Sequence, residues 1–161
     1  MTLDEYTEFI EEFGENGKLE IDEFALELEC KEQPKLYRRV SKTLAYALSE
    51  RDAIENKLKV WEAKTAQHFR QAAKVSGEKV TEAIIDEQVL GNPLRTDFTD
   101  NIFKIRIVCN ELLGLLQSWA QRKDMLTNLV KLALGDYYSD VKTNTSDKQY
   151  QDNRKRMRQN D

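Results

Sequence analysis

Glycine and proline are scarce: six and two in 161 residues. Turn-rich all-β folds consume both, so the scarcity excludes such a fold. One histidine, His68, rules out multi-histidine metal sites, and its place on an apolar ladder reads as a packed or interface residue rather than a proton relay. The two cysteines, Cys30 and Cys109, lie far apart and show no metal-ligand spacing. The chain has no GxxxxGK[ST], GxGxxG or CxxC. No apolar run approaches the ~20 residues of a membrane span, and the acidic start, with Asp4, Glu5, Glu8, Glu11 and Glu12, is unlike a secretion signal. The residues therefore predict a non-enzymatic, cytoplasmic protein that uses no metal or cofactor and no membrane.

What is present is charge and helical periodicity. Charged residues make up 34% of the chain. One ladder runs Tyr37, Val40, Leu44, Ala47, Arg51, Ile54, Leu58, Trp61, Thr65, His68, Ala72. A second runs Phe98, Ile102, Ile105, Cys109, Leu112, Leu116, Trp119, Lys123, Leu126, Val130, Ala133. Both alternate steps of three and four, which keeps one stripe on one side of a slightly supercoiled helix. A stripe of this kind needs a partner, because propensity alone leaves an isolated helix marginal. The ladders predict an all-α fold built on a long antiparallel helical hairpin. One such hairpin covers only one side of each helix, so self-association is expected to cover the rest. Trp61, Trp119, Leu116 and Leu126 are the seam residues expected at an oligomer interface, with core packing as the other reading of the tryptophans.

The boundaries follow from punctuation. Leu3, Tyr6, Phe9, Ile10 and Phe13 recur at three and four and predict a short helix ended by Gly14 and Gly17. Pro34 is placed in the first turn of the first long helix, which runs to about Lys74 and stops at Ser76 and Gly77. Thr81 can cap a short helix to about Leu90. Gly91, Asn92 and Pro93 break the chain before a second long helix from Thr96 or Asp97 to Leu134, ahead of Gly135. The predicted organisation is an acidic arm (1–33), a helical core (34–138) and a disordered basic tail (139–161).

Charge is divided unevenly. The overall net charge is −4, yet residues 1–33 hold twelve acids against Lys18 and Lys31, a local net of −10, leaving +6 for the remainder. A basic body points to a polyanion, an acidic arm to regulation or docking. The first long helix opens with Lys35, Arg38, Arg39 and Lys42, and closes with Lys64, Arg70 and Lys74 beside Phe69. The tail ends in Arg154, Lys155, Arg156 and Arg158. Basic groups with a neighbouring aromatic can track phosphates and stack a base; an ordinary solvated face is the alternative.

Several segments carry a resemblance: Gln33-Pro34-Lys35-Leu36-Tyr37, Gly77-Glu78-Lys79-Val80-Thr81-Glu82-Ala83, and Gln121-Arg122-Lys123-Asp124-Met125-Leu126. Their order over roughly residues 20–134 resembles the phage UvsY-like recombination mediators. The resemblance implies a small helical homo-oligomer that binds single-stranded DNA and helps a RecA-like recombinase displace single-strand-binding protein. It implies DNA contacts near the end of the first long helix, just before a Ser-Gly, which here means Arg70 and Lys74, with Lys64 upstream. The departure is that Phe69, Gln71 and Ala72 dilute the basic character there. A helical scaffold that binds only protein is the alternative from a different class.

Overall fold

The computed structural model describes residues 1–14 and 18–158, with side chains described as far as Gly135. The described residues form helices and no strand: α1 (Leu3–Gly14), a 3₁₀ turn (Glu23–Ala25), α2 (Leu26–Ser76), α3 (Glu82–Leu90) and α4 (Pro93–Arg158).

Helix α2 begins eight residues before Pro34, so the proline lies inside it. The first turn is instead set by the 3₁₀ turn, where the Asp22 carboxylate accepts the Phe24 N–H at 2.9 Å. Proline removes one helical hydrogen bond, and packing of Gln33 and Leu36 on either side holds the segment helical. The acidic stretch 26–33 is thus the first part of the long helix. Gly77, at φ 74°, ends α2 in the left-handed conformation that suits glycine.

Thr81 occupies the N-cap of α3 with extended backbone, although its side chain makes no capping hydrogen bond. Helix α4 starts at Pro93, earlier than the spacing of the ladder suggested. The Asn92 side chain accepts the Leu94 N–H at 3.0 Å, and proline takes the first helical position, where no donor is needed. At its other end α4 runs through Gly135 to Arg158 instead of stopping at Leu134. One glycine costs a helix about 1 kcal/mol, and no proline follows to end it. Residues 139–158, expected to be disordered, are therefore assigned to the same helix.

Cross-helix contacts join early α2 to the middle of α4, and the later half of α2 to early α4. Gln33 Nε2 donates to the Trp119 carbonyl at 2.8 Å, Arg122 pairs with Glu29 at 2.5 Å, Arg106 with Glu55 at 2.7 Å, and Arg95 with Glu62 at 2.9 Å. Helix α1 lies on both long helices as a third layer. It contributes Tyr6 and Phe13 to a core of Val40, Leu44, Ala47, Ile105, Val108, Cys109, Leu112, Leu115 and Trp119. Phe13 stacks on Phe9 and tilts against Trp119. This covering explains why Val108 and Leu115, outside the second ladder, are buried. It also means that the acidic arm is anchored by its apolar side.

The ladders hold in the middle and drift at their ends. Tyr37, His68 and Ala72 are exposed, while Gln33, Leu36, Phe69 and Ala73 take the covered positions. Covered residues from Gln33 to Ala73 advance by about 3.6 residues per turn, the step of a straight helix rather than of a supercoiled one. On α4, Lys123 turns outward and Arg122 is the polar residue at the packed face, 4% exposed.

Candidate nucleic-acid interface

The outward side of α2 is fixed by what its inward side packs against. Residues about half a turn from Val40, Leu44 and Leu58 must face solvent, and steps of three and four connect them. On this line lie Lys31, Lys35, Arg38, Lys42, Tyr46, Lys64 and Lys74, and at its edge, one residue before inward Val40 and Leu58, lie Arg39 and Lys57, all exposed. From Lys31 to Lys74 the line is roughly 65 Å long at ~1.5 Å per residue. Its uncharged fillers are Ala53, Asn56, Gln67 and Gln71, with the exposed Val60 between Lys57 and Lys64. Asp52, exposed and paired with Arg51, lies beside it, and Glu32 and Glu50 are half-buried at its edge.

Lys31 and Lys35 form exposed pairs with Glu27 and Glu32, an arrangement worth little in water. Among the described residues, Arg38, Arg39, Lys42, Lys57, Lys64 and Lys74 have no ion-pair partner. Two aromatics join the line. The Arg39 guanidinium sits 4.6 Å from the centre of the Phe13 ring, and the Lys42 ammonium 5.5 Å from that of Tyr46. Tyr46 is 55% exposed, so its ring is free to stack.

The structure separates residues that the sequence grouped. Lys35, Arg38, Lys42, Lys64 and Lys74 share the outward line, with Arg39 at its edge. Arg70 does not: it reaches sideways to α3 and donates two hydrogen bonds to Glu82, at 3.0 and 2.7 Å. The same bonds hold the Glu82 carboxyl below its ordinary range. Phe69, expected beside the cations, is half-buried against the exposed His68. Tyr46 takes the aromatic position instead, and its spacing of four from Lys42 and seven from Arg39 was the available signal. Arg154, Lys155, Arg156 and Arg158 lie on the last turns of α4, outside the residues whose side chains are described.

The seam residues expected between copies are largely spent inside one chain. Trp119 and Leu126 are buried, Leu116 packs on the core, and Trp61 tilts against Phe98 at 6.1 Å. Trp119 and Leu116 belong to the core that α1 completes, while Trp61 and Leu116 stay half-buried.

Beside the cationic line runs an acidic ridge. Helix α1 presents Asp4, Glu5, Glu8, Glu11 and Glu12 to solvent while Tyr6 donates to Glu50 at 3.1 Å. Among the described residues no group of acids, cysteines or histidine could hold a metal ion, and no helix is long and apolar enough to cross a membrane. Comparison with protein-family models, curated proteins and solved structures finds no match for this chain.

Proposed function

We propose that this protein binds single-stranded DNA along the outward face of α2 and acts, without catalysis, as a phage-type recombination mediator. In this reading α2 and α4 form an antiparallel hairpin, and several hairpins associate so that their cationic lines present one shared track. Weak phosphate contacts repeated around such an assembly multiply into firm binding. The partners are a RecA-like recombinase and a single-strand-binding protein, in the cytoplasm of the host cell.

The observation that carries the reading is the band of six unpaired cations along one side of α2, with an exposed tyrosine beside it. A straight rod suits a flexible single strand, whose phosphates can follow it from end to end. A duplex backbone winds away from such a rod after a few phosphates. Tyr46 adds a stacking surface that accepts any base. A mediator needs no reacting group, in keeping with the lack of catalytic motifs in the sequence.

Counterion release supplies the test. Six phosphate contacts on a single strand give log affinity a slope of about −4 against log salt. Affinity for a short labelled oligonucleotide, measured across a salt series, should show that slope. Replacing Lys64 and Lys74 with alanine should flatten it by about 1.4 and leave helix content unchanged. Absence of binding at low salt would reject the reading and favour a protein-only scaffold, which the wholly exposed Phe24 would also serve.

A further inference from the structure

Phe24 is the most exposed aromatic among the described residues, yet its backbone is held firmly. Asp22 accepts the N–H of Phe24, and the Ala25 N–H donates to the Asp22 carbonyl at 3.1 Å. The Asp22 N–H donates to Glu29 at 3.1 Å. Just upstream, Arg122 donates to the carbonyls of Leu19 and Glu20 at 3.2 and 2.9 Å. An apolar ring presented on a fixed turn loses little freedom when a partner covers it, and such rings anchor interfaces. Its rim is acidic: Glu20, Asp22, Glu23 and Glu27 are all exposed.

A complementary feature lies on the same molecule. Between α2 and α4 is a groove of about 360 Å³ lined by Gln33, Pro34, Tyr37, Ala120 and Lys123. Its walls are the proline ring, the tyrosine ring and a methyl group, and its edge carries the exposed Lys123, whose own pair with the exposed Asp124 is loose at 3.3 Å. Phe24 does not reach the groove of its own chain. Eight helical residues, ~12 Å, separate Leu26 from Pro34, and the turn is fixed where it stands.

We propose that Phe24 of one copy inserts between Pro34, Tyr37 and Ala120 of the next, with Asp22 and Glu23 against Lys123. The contact joins unlike surfaces, so it propagates head to tail and either closes into a ring or runs on as a filament. This inference rests on the self-association stated above and specifies the surface that produces it.

Two half-defective chains test it. Phe24→Ala keeps the groove and loses the anchor; Ala120→Arg keeps the anchor and fills the groove. Solution mass by light scattering should show each variant alone as a monomer where the wild type is larger. An equimolar mixture should form a dimer and nothing bigger, since the one intact contact cannot propagate. Phe24 is wholly exposed within its own chain, so Phe24→Ala should keep the helix content of the wild type. Should Ala120→Arg fail to fold, Lys123→Glu replaces it: it should weaken assembly about tenfold, and adding Glu23→Lys should restore it. A Phe24→Ala chain with the wild-type mass overturns the contact but leaves self-association standing. A monomeric wild type overturns both.

Discussion

Arg122 shows what a single buried charge does here. Its guanidinium bonds Gln33 Oε1 at 2.7 Å, Glu29 at 2.5 Å and the carbonyls of Leu19 and Glu20, and lies 5.2 Å from the centre of the Trp119 ring. Removing it leaves a carboxylate, an amide and two carbonyls unanswered in a covered site. Arg122→Ala should therefore lower unfolding free energy by about 3–5 kcal/mol, read as a shift of the urea midpoint at constant slope. Lys123→Ala, next to it but exposed, should cost less than about 0.5 kcal/mol. Glu29 gives the network a pH signature. Burial pushes its carboxyl up, but the hydrogen bonds from Arg122 and the Asp22 N–H outweigh this, and the folded value lies below the ordinary 4.5. A lowered carboxylate contributes stability that is complete above 4.5 and disappears as pH falls through the folded value. Melting temperature should drop over that acid range in the wild type and less steeply in Glu29→Gln. Tyr6 has the opposite sign. Burial first, then the Glu50 hydrogen bond and charge, raise its hydroxyl from 10.0 to about 12. Its contribution holds below pH 10 and is lost as pH rises towards 12. Tyr6→Phe should melt lower than the wild type at neutral pH, by about 1 kcal/mol for the lost hydrogen bond, and should lose part of the alkaline decline.

At the scale of elements, two glycines make opposite predictions. Gly77 ends α2 at φ 74°, where a side chain is strained whatever the room around it. Gly77→Ala should destabilise by about 1–2 kcal/mol. Gly114 sits inside α4 with open space where a Cβ would be, so Gly114→Ala should stabilise by up to about 1 kcal/mol. Thermal melts of the two variants check both signs. These glycines also mark how far local punctuation could be read. Gly77, following a polar stop, announced the end of α2 correctly. Gly135 resembled the same signal, but a glycine ends a helix only when the chain beyond has other bonds to make, and here α4 continues. Pro34 misled for a related reason: a proline is favoured at a helix start, yet tolerated inside when neighbours such as Gln33 and Leu36 are packed. The apolar ladders exposed the helical class and most of the core, Val40, Leu44, Ala47, Ile102, Ile105 and Leu112 among them. Their period was read as 3.5 because the polar entries Arg51 and His68 fit that step equally well. The candidate interface was half legible. Lys35, Arg38, Arg39, Lys42, Lys64 and Lys74 follow from spacing alone. The diversion of Arg70 depends on where α3 places Glu82, which no spacing within α2 encodes.

For the whole molecule, the decisive difference lies in the first fourteen residues. The charge of residues 1–33 suggested an acidic arm for regulation or docking; the apolar side of residues 3–14 makes that stretch a core helix. The two roles predict different consequences for different cuts. Deleting residues 1–14 removes Tyr6 and Phe13, both nearly fully buried, and uncovers Val40, Leu112 and Trp119. In a Trp61→Phe background the remaining Trp119 emission should shift to the red and the melting temperature should fall, an outcome that a merely tethered arm would not produce. Neutralising the ridge is a separate operation. Asp4, Glu8 and Glu11 are exposed and make no ion pair among the described residues, so Asp4→Asn, Glu8→Gln and Glu11→Gln together should leave the melt unchanged. A carboxylate ~10 Å from a bound phosphate weakens its binding by about 0.4 kcal/mol in water. Losing three such carboxylates adds about 1 kcal/mol, or about fivefold in affinity for the proposed single strand, at low ionic strength. The gain should fade near 0.15 M salt, where screening acts over about 8 Å. An affinity gain without a change in stability places the acids as a brake beside the track; a loss of both would make the ridge part of the scaffold.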